Sequence, residues 1–486
     1  MAESDVKHIV IVGNGPAAAA AAAAVAISLR GSETTITLLD SPNVMATAPI
    51  VVSRGGPNSF HHLLGIDEQA LMQRAGGVFG LGTRYRGFQS DDRDVFVPLG
   101  SHGMTLRLVD FHHYVAKLRA EGSDEDYNAY SLPAAAAAIG RFTPPGSAED
   151  PVQKTVEYDT CFDRDRYARF MRESAAELGV TVVTAAVEAV DLGGDGMIEA
   201  AVLADGNRIG GDLFIDCSDN RALIGHLGAA NEFDDWSRWL PCDRIASVQT
   251  KTLVSPDLFT SIEAHDNGWV RRTMLSDATA TAFVYSSQHA EDEFARQFLG
   301  KNVYRAVPDD IRVETRSVGA YDAHWIRNCV AIGPAAGSLE PMEVSPMHVV
   351  HRSLMRLLAM LPRRKTSAML AAEFNRVTSE ELRGARDYQI LRYALADRRK
   401  GPFWESLDGL QVPDSLQSRI DLFRNHGRIS GQDHEYFSKA RWVSSFINFG
   451  FWPSSYDPLA DMIDEQRMRT DVSSFREKVQ QLGSVY

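Results

Sequence analysis

The chain has 486 residues, 44% of them hydrophobic and 23% charged. That length exceeds one small core and predicts either two or three packed substructures or one large α/β domain with insertions; the composition is globular, not disordered. The net charge of −14 repels phosphate backbones and argues against a nucleic-acid partner.

Residues 8–29 read HIVIVGNGPAAAAAAAAVAISL. The β-branched run predicts a buried parallel strand, and the alanine run a close-packed helix. No basic segment precedes the alanines, so they do not read as a signal peptide, and no other apolar run is long enough to span a membrane. Between strand and helix lies G-x-G-x-x-A: Gly13 for a tight turn, Gly15 for close approach of a pyrophosphate, Ala18 for close helix packing. Phosphates would sit on the free N–H groups of the helix N-terminus. The next apolar run, TTITLLD, ends at Asp40, where a dinucleotide fold places the acid that holds a ribose hydroxyl.

Further along, residues 163–180 predict a helix with an apolar stripe of Phe170, Met171, Ala175 and Leu178, stopped by Gly179. Residues 180–219 predict strands with an Asp-Gly turn at Asp205 and Gly206. The last third is helical by pattern, with aromatics at Trp404, Phe446, Phe449, Phe451 and Trp452. The four cysteines form no CxxC pair, which argues against a metal site or a disulfide framework and makes a reducing cytoplasm the default.

In chain order, LGIDEQALMQRAG, YDTCFDRDRYARFMRESAAELGV, NRIGGDLFIDCSDNRALIGHLG, FVYSSQHAEDEFARQFL, WIRNCVAIGPAAGSLEPMEVSP and FGFWPSSYDPLADMI resemble blocks of the flavin-dependent tryptophan halogenases. The resemblance runs from Ile9 to about Ile463. It implies an α/β fold: a FAD-binding, Rossmann-type, hydroxylase-like module with a mixed sheet over 1–360, substrate-side segments inserted at about 85–160 and 230–300, and a helical C-terminal substrate or lid module over 361–486. It implies FAD, with Gly333 and Gly337 joining Gly13, Gly15, Ala18 and Asp40 as cofactor-binding residues. It also implies an aromatic substrate, free or peptide-borne, and a separate flavin reductase. No membrane partner is implied, and a homodimer stays open.

The resemblance further implies the chemistry to check. In such halogenases reduced FAD and oxygen give a hydroperoxide, a halide attacks it, and hypohalous acid travels to a lysine beside the substrate, assisted by a glutamate. Glu343 matches that catalytic glutamate. The lysine's stretch, TFKLG in the family, here reads VFGLG, so Gly80 stands in its place. The family's Trp-x-Trp-x-Ile-Pro becomes WVRRTM: Trp269 is kept and Arg271 replaces the second tryptophan. Arg271 and Arg272 are either solvated or hold an anionic substrate or the FAD phosphates. Residues 46–60 replace the strap that touches the flavin. Residues after the glutamate give N–H groups to the halide; here they are Val344, Ser345 and Pro346, and proline has none. A hydrogen bond missing from a buried ion costs about 1.5–3 kcal/mol.

The expected function is therefore an oxygenase on a halogenase scaffold, with Glu343 either a base or a structural acid and Trp269 and Arg271 as substrate candidates. Alternatives are a halogenase with its cation relocated to Arg84 or Arg271, and a non-catalytic flavoprotein.

Overall fold

The computed structural model describes residues 5–41, 49–146, 150–228, 232–343, 345–363, 367–431 and 435–483. Val344 and the first three strap residues, 46–48, lie outside the described residues. Two compact units emerge: 1–77, 161–248 and 307–383 form one, and 78–160, 249–306 and 384–486 the other.

The first unit is built on a six-stranded sheet in the order Trp325–Ile326, Cys329–Ala331, Leu213–Asp216, His8–Val12, Thr35–Asp40, Thr181–Thr184. All neighbours are parallel except the terminal pair at Trp325. The predicted strand, turn, helix and second strand stand in the expected order. The helix is Pro16–Ser28, and Ala20 to Ala24 are fully buried. A helix apolar all round belongs inside a core. Alanine lets the Arg164–Glu177 and Pro346–Ala359 helices approach it closely. Asp163 caps the Arg164–Glu177 helix by accepting the N–H groups of Asp165 and Arg166 at 3.0 and 2.9 Å. Gly206 takes the left-handed turn (φ +82°) expected of the Asp-Gly pair.

The second unit carries five neighbouring strands of a sheet, in the order Ala278–Tyr285, Gly268–Met274, Thr260–His265, Gly82–Arg86, Val95–Pro98. Gly82–Arg86 and Thr260–His265 pair in parallel, Thr83 opposite Thr260. Its helices include Phe111–Ala120, Asp414–His426, Lys439–Asn448 and Glu465–Gly483. Segments 78–160 and 249–306 group with residues 384–486, and residues 361–383 group with the first unit. Strand partners so distant in sequence leave no local signal of their pairing. Among the described residues no helix is long and apolar enough to cross a membrane.

One buried carboxylate shapes the loop after Leu213–Asp216. Asp216 is fully buried. Its Oδ1 accepts the Ser218 N–H and hydroxyl at 3.0 and 2.5 Å, and its Oδ2 the N–H groups of Leu223 and Ile224 at 2.8 and 2.9 Å. Asp216→Ala would leave buried donors unpaired and should cost about 3 kcal/mol, read as a lower urea-unfolding midpoint. An unchanged midpoint would show that packing alone holds the loop.

Candidate cofactor and active site

Parallel strands His8–Val12 and Leu213–Asp216 end side by side, and a cavity of about 580 Å³ opens beyond them in the first unit. This is where an α/β sheet binds its ligand, at the carboxyl ends of strands that diverge in connection. Gly13 (φ +143°) lines the cavity, and a Cβ there would come within 2.8 Å of the Cys217 backbone. At Gly15 (φ +83°) a Cβ would meet the Arg164 guanidinium at 2.9 Å. Neither position admits a side chain in this arrangement.

The Asp216-held loop presents Asp219, Asn220 and Arg221 to the cavity. Arg221 is left-handed (φ +54°) and stacks 3.4 Å from the Tyr321 ring centroid. Its Nε and Nη2 are buried without a protein partner, as are Arg164 Nε and Ser338 Oγ. Arg316 Nε lies 3.3 Å from Glu314 Oε1, while Glu314 Oε2 has no hydrogen-bond partner. Burial pushes the Glu314 carboxyl up, against the pull of Arg316. It pushes Asp219 up as well, opposed by Arg164 and Arg316.

These groups fit a dinucleotide. The orphaned guanidinium donors suit an anion such as a pyrophosphate. Asp40, 3.5 Å from Arg172 Nε through Oδ2, keeps a buried Oδ1 with no hydrogen-bond partner, which a ribose hydroxyl would satisfy. Of the residues singled out in the sequence, Gly13, Gly333 and Gly337 line the cavity together. Gly15 packs under Arg164 and Asp40 precedes the lining residue Ser41. Ala18 is 1% exposed within its helix and serves packing. Arg164, Arg221 and Tyr321 escaped sequence reading. The only signals were an arginine beside the helix cap Asp163 and another beside the Asp216 loop.

The loop rich in acids and prolines follows. Gly337–Ser338 pairs with Gly319–Tyr321. Glu340 is 1% exposed and its Oε1 accepts the Cys242 N–H at 2.8 Å, so this acid braces the fold. Glu343 is half-buried. Ser345 occupies the cap position of the Pro346–Ala359 helix, and Pro346, its first residue, lines the cavity with no N–H to offer.

In the second unit, Gly80 ends the buried strand Val78–Gly80 and is not left-handed. Trp269 is fully buried, its indole N–H donated to the Tyr393 hydroxyl at 3.0 Å, which is core packing. Arg271 is half-buried in the sheet, opposite Ile262 and Ala282, while Arg272 is exposed. Arg84 stacks 4.4 Å from the Phe259 centroid. Asp110, His112 and His113 bring candidate ligand atoms within 4.8 Å of one another. Their groups are already engaged: Asp110 by Lys439, His112 Nε2 by the Gly427 carbonyl at 2.6 Å, and His113 Nδ1 by the Asp457 N–H at 3.2 Å.

A family model described as tryptophan halogenase matches residues 8–465. Tryptophan 7-halogenase RebH of Lentzea aerocolonigenes is 28% identical over 450 residues, 86% of this chain and 82% of that protein. BrvH, a flavin-dependent halogenase from Brevundimonas sp. BAL3, matches in structure with a TM-score of 0.91 at 30% identity, covering 99% of this chain and 97% of that one. Xcc4156, a flavin-dependent halogenase from Xanthomonas campestris, gives a TM-score of 0.90 at 32% identity, covering 99% and 96%. The fold, the cavity and these likenesses lead to one assignment: the chain belongs to the tryptophan halogenase family.

Proposed function

We propose that this protein is an oxygenase built on the halogenase scaffold. It would insert oxygen into an electron-rich aromatic or indole ring, free or peptide-borne, using FAD reduced by a separate flavin reductase. The observation that carries the reading is Gly80, a buried glycine at the position that the resemblance matches to the family lysine. A hydrogen atom cannot hold or polarise hypohalous acid. Pro346 points the same way, since the cavity-lining helix starts on a residue with no N–H for a halide.

FAD, the cofactor of this family, supplies the activation of dioxygen when bound and reduced. The chain's own groups do the rest. Arg164 and Arg221 would hold the phosphates, and Asp40 the ribose. The Glu343 carboxylate accepts the proton of a phenol O–H or indole N–H, raising electron density in the ring. One oxygen atom goes to ring carbon and the other leaves as water, with both electrons drawn from the reduced cofactor. The four cysteines are buried free thiols, in keeping with a cytoplasmic setting.

A second reading, halogenation, is favoured by what BrvH and Xcc4156 are named for. Arg84 or Arg271 would then serve as the cation. An assay with flavin reductase, labelled oxygen gas, bromide and a panel of indoles and phenols separates the two. Labelled hydroxylated product is expected; brominated product without label would overturn the oxygenase reading, and no product from FAD-loaded protein would favour a non-catalytic flavoprotein.

Two variants sharpen the assignment. Gly80→Lys, at a position without left-handed strain, should gain bromination if only the lysine is missing. No gain would place the deficit in the halide loop as well. Arg221→Gln should weaken FAD binding about tenfold to a hundredfold in a fluorescence titration, the worth of a charge-assisted hydrogen bond.

A further inference from the structure

The Pro346–Ala359 helix starts at the cavity, where Pro346 and Val349 line it. It is tied at two points to the strand Ile50–Arg54. The Ser345 hydroxyl donates to the Val52 carbonyl, and His351 Nδ1 lies 3.3 Å from Ser53 Oγ. On its other side, His351 Nε2 is 2.9 Å from the Tyr167 hydroxyl, which is also 2.9 Å from His61 Nε2. Phe60 stacks on the His351 ring with centroids 4.0 Å apart. Ser53, His61, Tyr167 and His351 are all 3% exposed or less.

The chain of bonds has a direction. Burial pushes His61 down to about 4 and His351 well below its ordinary value, so both rings are neutral near pH 7. A neutral imidazole has one N–H and one lone pair, and a tyrosine hydroxyl one proton. Ser53 Oγ donates to the Arg54 carbonyl at 3.3 Å, so it accepts from His351 Nδ1–H. His351 Nε2 then accepts the Tyr167 O–H, and the Tyr167 oxygen accepts His61 Nε2–H. Each bond joining His61, Tyr167, His351 and Ser53 then has one donor and one acceptor.

We propose that this relay fixes the first turn of the cavity helix, and that His351 is a positioning residue acting through its Nδ1–H on Ser53. A fully satisfied buried network is stiff, and a partly satisfied one is not. The braced strand lies within residues 46–60, the segment standing in place of the family's flavin strap. The relay therefore couples that segment to the helix turn at the cofactor cavity. In its effect on FAD the proposal rests on that cavity being the FAD site.

Two substitutions separate this role from simple core filling. His351→Asn keeps a donor near the Nδ1 position, while His351→Gln reaches only toward Tyr167. Both lose the ring and its stacking on Phe60, so both should lose stability alike. FAD affinity, the potential of bound FAD, and hydrogen exchange over residues 345–351 in the FAD-free protein are measured for each. Asn should stay within about threefold of wild type in FAD affinity, while Gln falls roughly tenfold and exchanges faster over 345–351. Equal behaviour of the two would overturn the proposal. Should neither variant fold, Ser53→Ala removes the acceptor while leaving the His351 ring in place and is expected to match Gln; unchanged affinity and exchange there would equally overturn it. If wild-type protein binds no FAD, the cofactor reading fails, and the exchange comparison still decides the relay.

Discussion

The contact on which the first unit depends is the approach of Gly13 to Cys217. The strands His8–Val12 and Leu213–Asp216 end so close together that a Cβ on Gly13 would press into the Cys217 backbone. The Cys217 N–H bonds to the Val12 carbonyl at 2.7 Å and the Gly13 N–H to the Leu39 carbonyl at 3.1 Å. These bonds hold the strand ends in register while the chain turns away on both sides. The cavity exists because both chains leave the sheet at that point. Asp216, one residue before Cys217, then gathers four donors and sets the course of the loop that carries Arg221.

Charge is arranged against the grain of the molecule. The chain is acidic overall, with a net charge of −14, yet Arg221 and Arg316 line the cavity and Arg164 stands over its glycine turn. Burial raises the carboxyls of Asp219 and Glu314, opposed by Arg164 and Arg316. Arginines gathered at a cavity favour an anionic ligand there, while an acidic surface disfavours polyanions. The unsatisfied guanidinium atoms would gain from an anionic ligand, because a buried donor left without a partner is costly.

The first unit has the glycine turn, the acid at Asp40 and, in Arg164 and Arg221, guanidinium donors with no protein partner. On the proposed reading, Gly80 would remove the lysine that handles hypohalous acid and Pro346 an N–H that would hold the halide. Glu340 and Glu343 look alike in sequence, and tertiary structure separates them. One is sealed against Cys242; the other is half-buried on the loop before the cavity helix.

The α/β half of the fold was legible in the chain, because a strand, a glycine turn, an alanine helix and a second strand are local patterns with fixed periods. So was the glycine at position 80, since a side chain absent from the chain cannot be restored by folding. Folding alone set which arginines keep unpartnered donors at the cavity, that Trp269 is core, and that segments 78–160 and 249–306 group with the C-terminal helices. Those facts rest on pairings such as Thr83 with Thr260 and contacts such as Arg164 over Gly15. The physical reason is the same throughout. Periodicity and capping act between neighbours in the chain, whereas strand register and the fate of a buried charge are set by residues far apart in sequence.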